Sequence, residues 1–153
     1  MAEGYKIAES VLVVIHAGPQ QVLLLRRADM DTWQSVTGSK DHIDEPFALT
    51  AEREVLEETA LDVHAPGAAL RDCAWENHYT IYPSFVHRYP PGTTHNTERV
   101  FVLTLPQIQQ IRLSPREHTE YVWVPWEEAC EQVYSASNAL AIARLLGPGS
   151  GHV

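Results

Sequence analysis

Cysteine is scarce in this chain. Cys73 and Cys130 are the only two, and they form no CxxC spacing, so neither a disulfide framework nor a thiolate zinc site is expected to organise the fold. Long apolar runs are missing as well: the longest, Val11 to Ile15, is far short of the roughly 20 residues that cross a bilayer. Glu3, Lys6 and Glu9 interrupt the apolar pattern at the start, where a signal peptide would need it continuous. These features predict a reducing, cytoplasmic setting and no membrane partner. Positive charge is also in short supply. Lys and Arg number 11 against 20 Asp and Glu, a formal net charge of −9, which argues against a nucleic-acid polymer as partner, because sequence-independent binding needs many cations on phosphates. A small polyphosphate remains open, since a divalent cation held by clustered carboxylates can carry the positive charge. The eight histidines show no HExxH or other zinc spacing, and His118 is expected at the surface.

What is present is enough for one self-sufficient domain. A chain of 153 residues with 44% hydrophobic and 20% charged residues has ordinary globular composition. A single domain over residues 1–146 is expected, with the glycine-containing stretch 147–153 as a flexible tail. SVLVVIHA and QVLLLRR, separated by Gly18 and Pro19, read as two strands of a hairpin. WQSVTG reads as a short strand ending at Gly38. From Pro46 to about Thr59 the pattern turns helical, with Phe47, Ala48, Ala51 and Val55 at three- and four-residue steps. LRDCAWENHYTIYPSFVHRY, NTERVFVLTL and EYVWV read as further strands, with Trp123 in the core. WEEACEQV and NALAIARLL read as two closing helices. No repeat or linker divides the chain, and no pattern specifies an oligomeric state. Strands with interposed helices predict an α+β layered domain.

The chemistry-bearing feature lies inside the first helix. Glu54, Glu57 and Glu58 fall at i, i+3 and i+4, which places three acids on one edge. Their repulsion costs the helix a few tenths of a kcal/mol per pair, roughly. Spacing alone leaves two readings open: a solvated acidic face, or a site for a hard divalent cation such as Mg²⁺ or Mn²⁺. Arg53, four residues before Glu57, either orients a carboxylate or makes an ordinary ion pair.

The wider string GSKDHIDEPFALTAEREVLEETAL resembles the Nudix box, the signature of a family of diphosphate-cleaving hydrolases. Gly38 matches its opening glycine, Glu45 its first acid, Arg53 and Glu54 its central pair, Val55 an apolar position, Glu57 and Glu58 its final acids, and Leu61 its closing apolar residue. Two departures stand out. Six residues rather than five separate Gly38 from Glu45, and Ala60 occupies the position of a glycine. Taking Asp44 as the first acid would restore the first gap and break the next one, so the helix-side spacing favours Glu45.

The resemblance implies a Nudix-type α/β/α sandwich with a central mixed sheet and a loop-helix-loop box. Beyond the box, YK at Tyr5, LVVI, RR at Arg26, WQSVTGS, HRYPPGTTHNTE and REHTEYVW are similar to the branch that releases pyrophosphate from a pterin triphosphate. That similarity implies Mg²⁺, with Mn²⁺ as a substitute, held by Glu54, Glu58 and Glu117. It implies catalytic roles for Arg53, Glu54, Glu57, Glu58 and Glu117. It also implies substrate contacts from Lys6, Arg26, Thr37, Tyr79, Thr80, Ile81, Tyr82 and Ser135. Tyr79 and Tyr82 have an alternative as a half-buried strand face, and Lys6 and Arg26 as surface charge. The expected substrate is a small-molecule triphosphate. Two alternatives are a Nudix enzyme acting mainly on nucleoside or deoxynucleoside triphosphates and a noncatalytic nucleotide-binding module; the complete set of box acids speaks against the second.

Overall fold

Strand β1 (Glu9–Ala17) is apolar at successive positions because both of its faces are covered. Val11, Val13 and Ile15 enter one core and Leu12 and Val14 the other. The structure, a computed structural model, describes residues 4–18 and 20–148, so the expected flexible tail lies outside the described residues from 149 onward. Six more strands follow: β2 (Gln21–Arg27), β3 (Trp33–Gln34), β4 (Val36–Ser39), β5 (Ala69–Thr80), β6 (His95–Leu105) and β7 (His118–Pro125). The sheet runs β3-β2-β1-β6-β5, with β4 also on β1 and β7 also on β2. β1 and β6 are parallel and the other pairs antiparallel, so the sheet is mixed.

Helix α1 (Phe47–Thr59) covers one face, and α2 (Trp126–Gln132) and α3 (Ala136–Leu146) cover the other. The result is the expected α/β/α sandwich. α1 forms despite its three acids because Ala51 and Val55 are wholly buried against the sheet. Burying one such side chain contributes about 1.5–3 kcal/mol, well above the few tenths lost to like charges. Ala60 ends the helix at φ 64°, ψ 13°, the left-handed conformation that a glycine adopts without strain. No helix among the described residues is long and apolar enough to cross a membrane.

The expected β1–β2 hairpin is present, and two other strand expectations need correction. The β1–β2 hairpin pairs only at His16–Val22 and Ala17–Gln21, because β4 occupies the first half of β1. The stretch from Trp33 is two strands, not one: the Ser35 backbone N–H goes to Asn138 Oδ1 at 2.9 Å, and β3 and β4 take different partners. The long strand from Leu70 stops at Thr80, and Val86–Arg88 forms a 3₁₀ turn.

Candidate active site

Arg53 ties the box together. Its Nη1 donates to Glu54 Oε2 at 2.9 Å and lies 3.4 Å from Glu57 Oε2, while Nη2 donates to Glu45 Oε1 at 3.0 Å and to the Ser39 carbonyl at 3.2 Å. The loop before the helix is thereby fastened to the helix. Glu45, not Asp44, meets this arginine, and it also accepts from Thr50 Oγ1 at 2.7 Å and the Asp41 backbone N–H at 3.0 Å. Burial pushes the Glu45 carboxyl up, but the hydrogen bonds from Arg53, Thr50 and Asp41 prevail and hold it at about 2.

From the same helix edge Glu54 turns against β4 and Glu58 toward His118 at the start of β7. Gly38 makes the approach of Glu54 possible: a Cβ built there would meet Glu54 Cδ at 2.0 Å. Glu58 is 1% exposed, and its Oε1 is buried without a hydrogen-bond partner. Burial drives the Glu58 carboxyl well above its usual range, reinforced by Glu54, Glu117 and Glu57. Glu54 is raised too, by burial and Glu57 against the opposing pull of Glu58 and Arg53. Buried acids that repel one another, one with an orphaned oxygen, fit a hard divalent cation. Among the described residues no three His, Cys, Asp or Glu side chains close around an ion by themselves. Glu54 and Glu58 form a pair, and Glu117, exposed in the turn before β7, lines the same cleft. The Ala28 backbone N–H fixes the Glu117 carbonyl at 2.9 Å.

That cleft, about 530 Å³, opens over these acids. Lys6, Arg27, Lys40, Arg88 and Arg116 line it alongside Thr37, Ser39 and Gln34. Burial lowers the Lys6 ammonium pKa, and the Arg88 and Arg27 charges add to this. Cations gathered beside a carboxylate cluster suit a metal-complexed polyphosphate. Lys40 is itself engaged by Glu9 at 2.6 Å.

Among residues expected from sequence, Lys6, Thr37, Gly38, Glu54, Glu58 and Glu117 meet in the cleft. Arg26 does not line it: its guanidinium is taken by Asp31 and Glu120, and Arg27, held to Asp29 at 2.7 Å, faces the cleft instead. Tyr79, Thr80, Ile81 and Tyr82 lie at the end of β5 outside the cleft lining; Ile81 is buried and Tyr82 exposed. Ser135 caps α3, accepting from the Asn138 N–H at 3.1 Å. His118 departs from its surface expectation. It is 4% exposed, its Nδ1 lacks a partner, and its Nε2 lies 3.8 Å from Glu58 Oε1. Burial, with Arg27 nearby, lowers it to about 4, so it stands neutral beside the acids. Its sequence signal was only adjacency to Glu117.

A family model described as NUDIX domain matches residues 6–145. The chain is 42% identical over 144 residues to the protein of Escherichia coli (strain K12) named dihydroneopterin triphosphate diphosphatase, covering 93% of this chain and 94% of that protein. The Haemophilus influenzae protein of the same name is 40% identical, covering 93% of this chain and 89% of that protein. Among solved structures, that of the E. coli dihydroneopterin triphosphate pyrophosphohydrolase aligns with a TM-score of 0.86 at 41% identity, covering 94% of this chain and 98% of the other.

Proposed function

The chain belongs to the Nudix hydrolase family, and on that premise we propose that it hydrolyses dihydroneopterin triphosphate to dihydroneopterin monophosphate and pyrophosphate, a step of folate biosynthesis. The observation that carries this reading is the 42% identity to an enzyme named for that reaction, over 144 residues and 93% of this chain. Nudix hydrolases generally need divalent metal ions; Mg²⁺ is the ion assigned here, with Mn²⁺ as its substitute.

Glu54, Glu58 and Glu117 are assigned as the carboxylates that hold the ion. When bound, the ion supplies positive charge to the phosphate oxygens and acidifies water. Lys6, Arg27 and Arg88 grip the triphosphate, and Thr37 donates to one of its oxygens. Arg53 keeps Glu54 oriented, and one of the cleft glutamates takes the proton of the attacking water. The two free cysteines fit a cytoplasmic enzyme.

The test is product analysis. Chromatography of the Mg²⁺-supported reaction is expected to show the monophosphate and pyrophosphate in equal amounts, and Glu58→Gln is expected to remove most turnover while circular dichroism shows the fold retained. Release of inorganic phosphate in place of pyrophosphate, or full activity in Glu58→Gln, contradicts the assignment.

A further inference from the structure

The face of the sheet opposite α1 carries a polar row that the phosphate chemistry does not use. Ser39, in the cleft, pairs with Ser10; Ser10 pairs with Glu98; and Glu98 pairs with Asn77. Lateral neighbours in a sheet share a face, so these side chains line up across the strands, and two strand spacings, about 10 Å, separate Ser39 from Glu98. Asn96, two residues before Glu98, points to the same side. Ser137, in the first turn of α3, borders the row at Glu98, with its Oγ 3.4 Å from Glu98 Oε1 and 3.3 Å from Ser135 Oγ.

Glu98 is 5% exposed, yet it makes no ion pair among the described residues. Its contacts are neutral donors, Asn77 Nδ2 at 3.2 Å and Ser137 Oγ at 3.4 Å, both on Oε1. These are long beside the roughly 2.7–2.9 Å of charge-assisted bonds. Next to it, Asn96 donates to Ser10 Oγ at 2.7 Å and Tyr79 OH at 3.0 Å, but its Oδ1 is buried with no partner. An orphaned amide oxygen thus sits beside a buried carboxylate held only by neutral donors, an arrangement that leaves acceptor capacity open to a ligand's N–H groups. Burial also raises the Glu98 carboxyl, a shift that paired donors on a ligand would reverse.

We propose that Glu98 determines specificity by accepting the two adjacent N–H donors of a 2-amino-4-oxopyrimidine edge, the ring N–H and the exocyclic amino group, while the triphosphate lies in the cleft. The inference rests on the pterin reading for its physiological ligand, but the edge is chemically shared with guanine. A carboxylate matches two parallel N–H donors. An adenine edge sets a ring-nitrogen lone pair against it, and hypoxanthine lacks the amino donor, so both are penalised. The distance from Ser39 to Glu98 is of the order spanned by a three-carbon side chain and a bicyclic ring. Tyr79 and Ser135, outside the cleft lining, then flank the ring rather than the phosphates.

The experiment compares kcat/KM for dihydroneopterin triphosphate, GTP and ITP with Mg²⁺ in the wild type and Glu98→Gln. ITP differs from GTP only in lacking the amino group. The wild type is expected to prefer GTP over ITP by about 10- to 100-fold, and the variant to bring that ratio near one. The pterin substrate is expected to lose mainly through KM. A GTP-to-ITP ratio that is the same in both proteins overturns the proposal. Inhibition of the wild type by neopterin and by its 2-oxo analogue decides the same question without a variant: equal inhibition overturns it, and weaker inhibition by the analogue supports it. If the pterin triphosphate is a poor substrate but the GTP-to-ITP ratio collapses in Glu98→Gln, the pterin reading fails and the role of Glu98 stands.

Discussion

The Glu54 carboxylate occupies the space that a side chain at residue 38 would fill: a Cβ on Gly38 would lie 2.0 Å from Glu54 Cδ. The atom it meets is the end of a flexible side chain rather than backbone, so Gly38→Ala is expected to displace Glu54 and leave the sheet intact. Turnover with Mg²⁺ should fall by roughly 100-fold, the effect of a misplacement on the ångström scale, with little change in melting temperature. Retained activity would mean that the position of Glu54 is not critical.

Ala60 ends α1 in the left-handed region, where its Cβ costs about 1–2 kcal/mol. Ala60→Gly relieves that strain but adds unfolded-state freedom, so a net stabilisation of about 0.5–1 kcal/mol is expected. Thermal unfolding should shift upward by about 2–4 °C for each kcal/mol. A lower melting temperature would contradict the reading of this helix end.

Glu45 contributes to acid stability. Its folded-state pKa of about 2 lies below the ordinary glutamate value of 4.5, so its contribution is complete above that ordinary value and disappears as pH falls toward 2. At neutral pH, Glu45→Gln should cost about 1–2 kcal/mol in denaturant unfolding, less than the full shift implies because solvent reaches the site. The gap between the two proteins should narrow steadily below pH 4.5. A gap that is constant with pH would assign the loss to packing instead.

How much of this was legible in the chain differs from element to element. The box helix was legible because Ala51, Val55 and the glutamates repeat at helical spacing and Pro46 opens the run. The break at Ser35 was not, because its cause, Asn138, lies 103 residues away. The burial of His118 depends on the pairing of β7 with β2 and the irregularity at Arg26 and Arg27. Glu98 sits in an alternating strand where a charge ordinarily marks solvent, and only the packing of α3 reveals that it is covered.

The two neighbouring arginines give a separate test. Arg27 lines the cleft and Arg26 is occupied by Asp31 and Glu120, so Arg27→Ala should raise KM by about tenfold and Arg26→Ala by less than about twofold. Steady-state kinetics on the triphosphate substrate would check this. The reverse order would return the phosphate contact to the residue expected from sequence.

The most direct measurement of the central claim is a competition. Purified protein with Mg²⁺ is given dihydroneopterin triphosphate and the common nucleoside triphosphates at equal concentration, and each product is followed together with pyrophosphate. A marked preference for the pterin substrate is the predicted result. Faster cleavage of nucleoside triphosphates would contradict it and make this Nudix enzyme a hydrolase of the nucleotide pool.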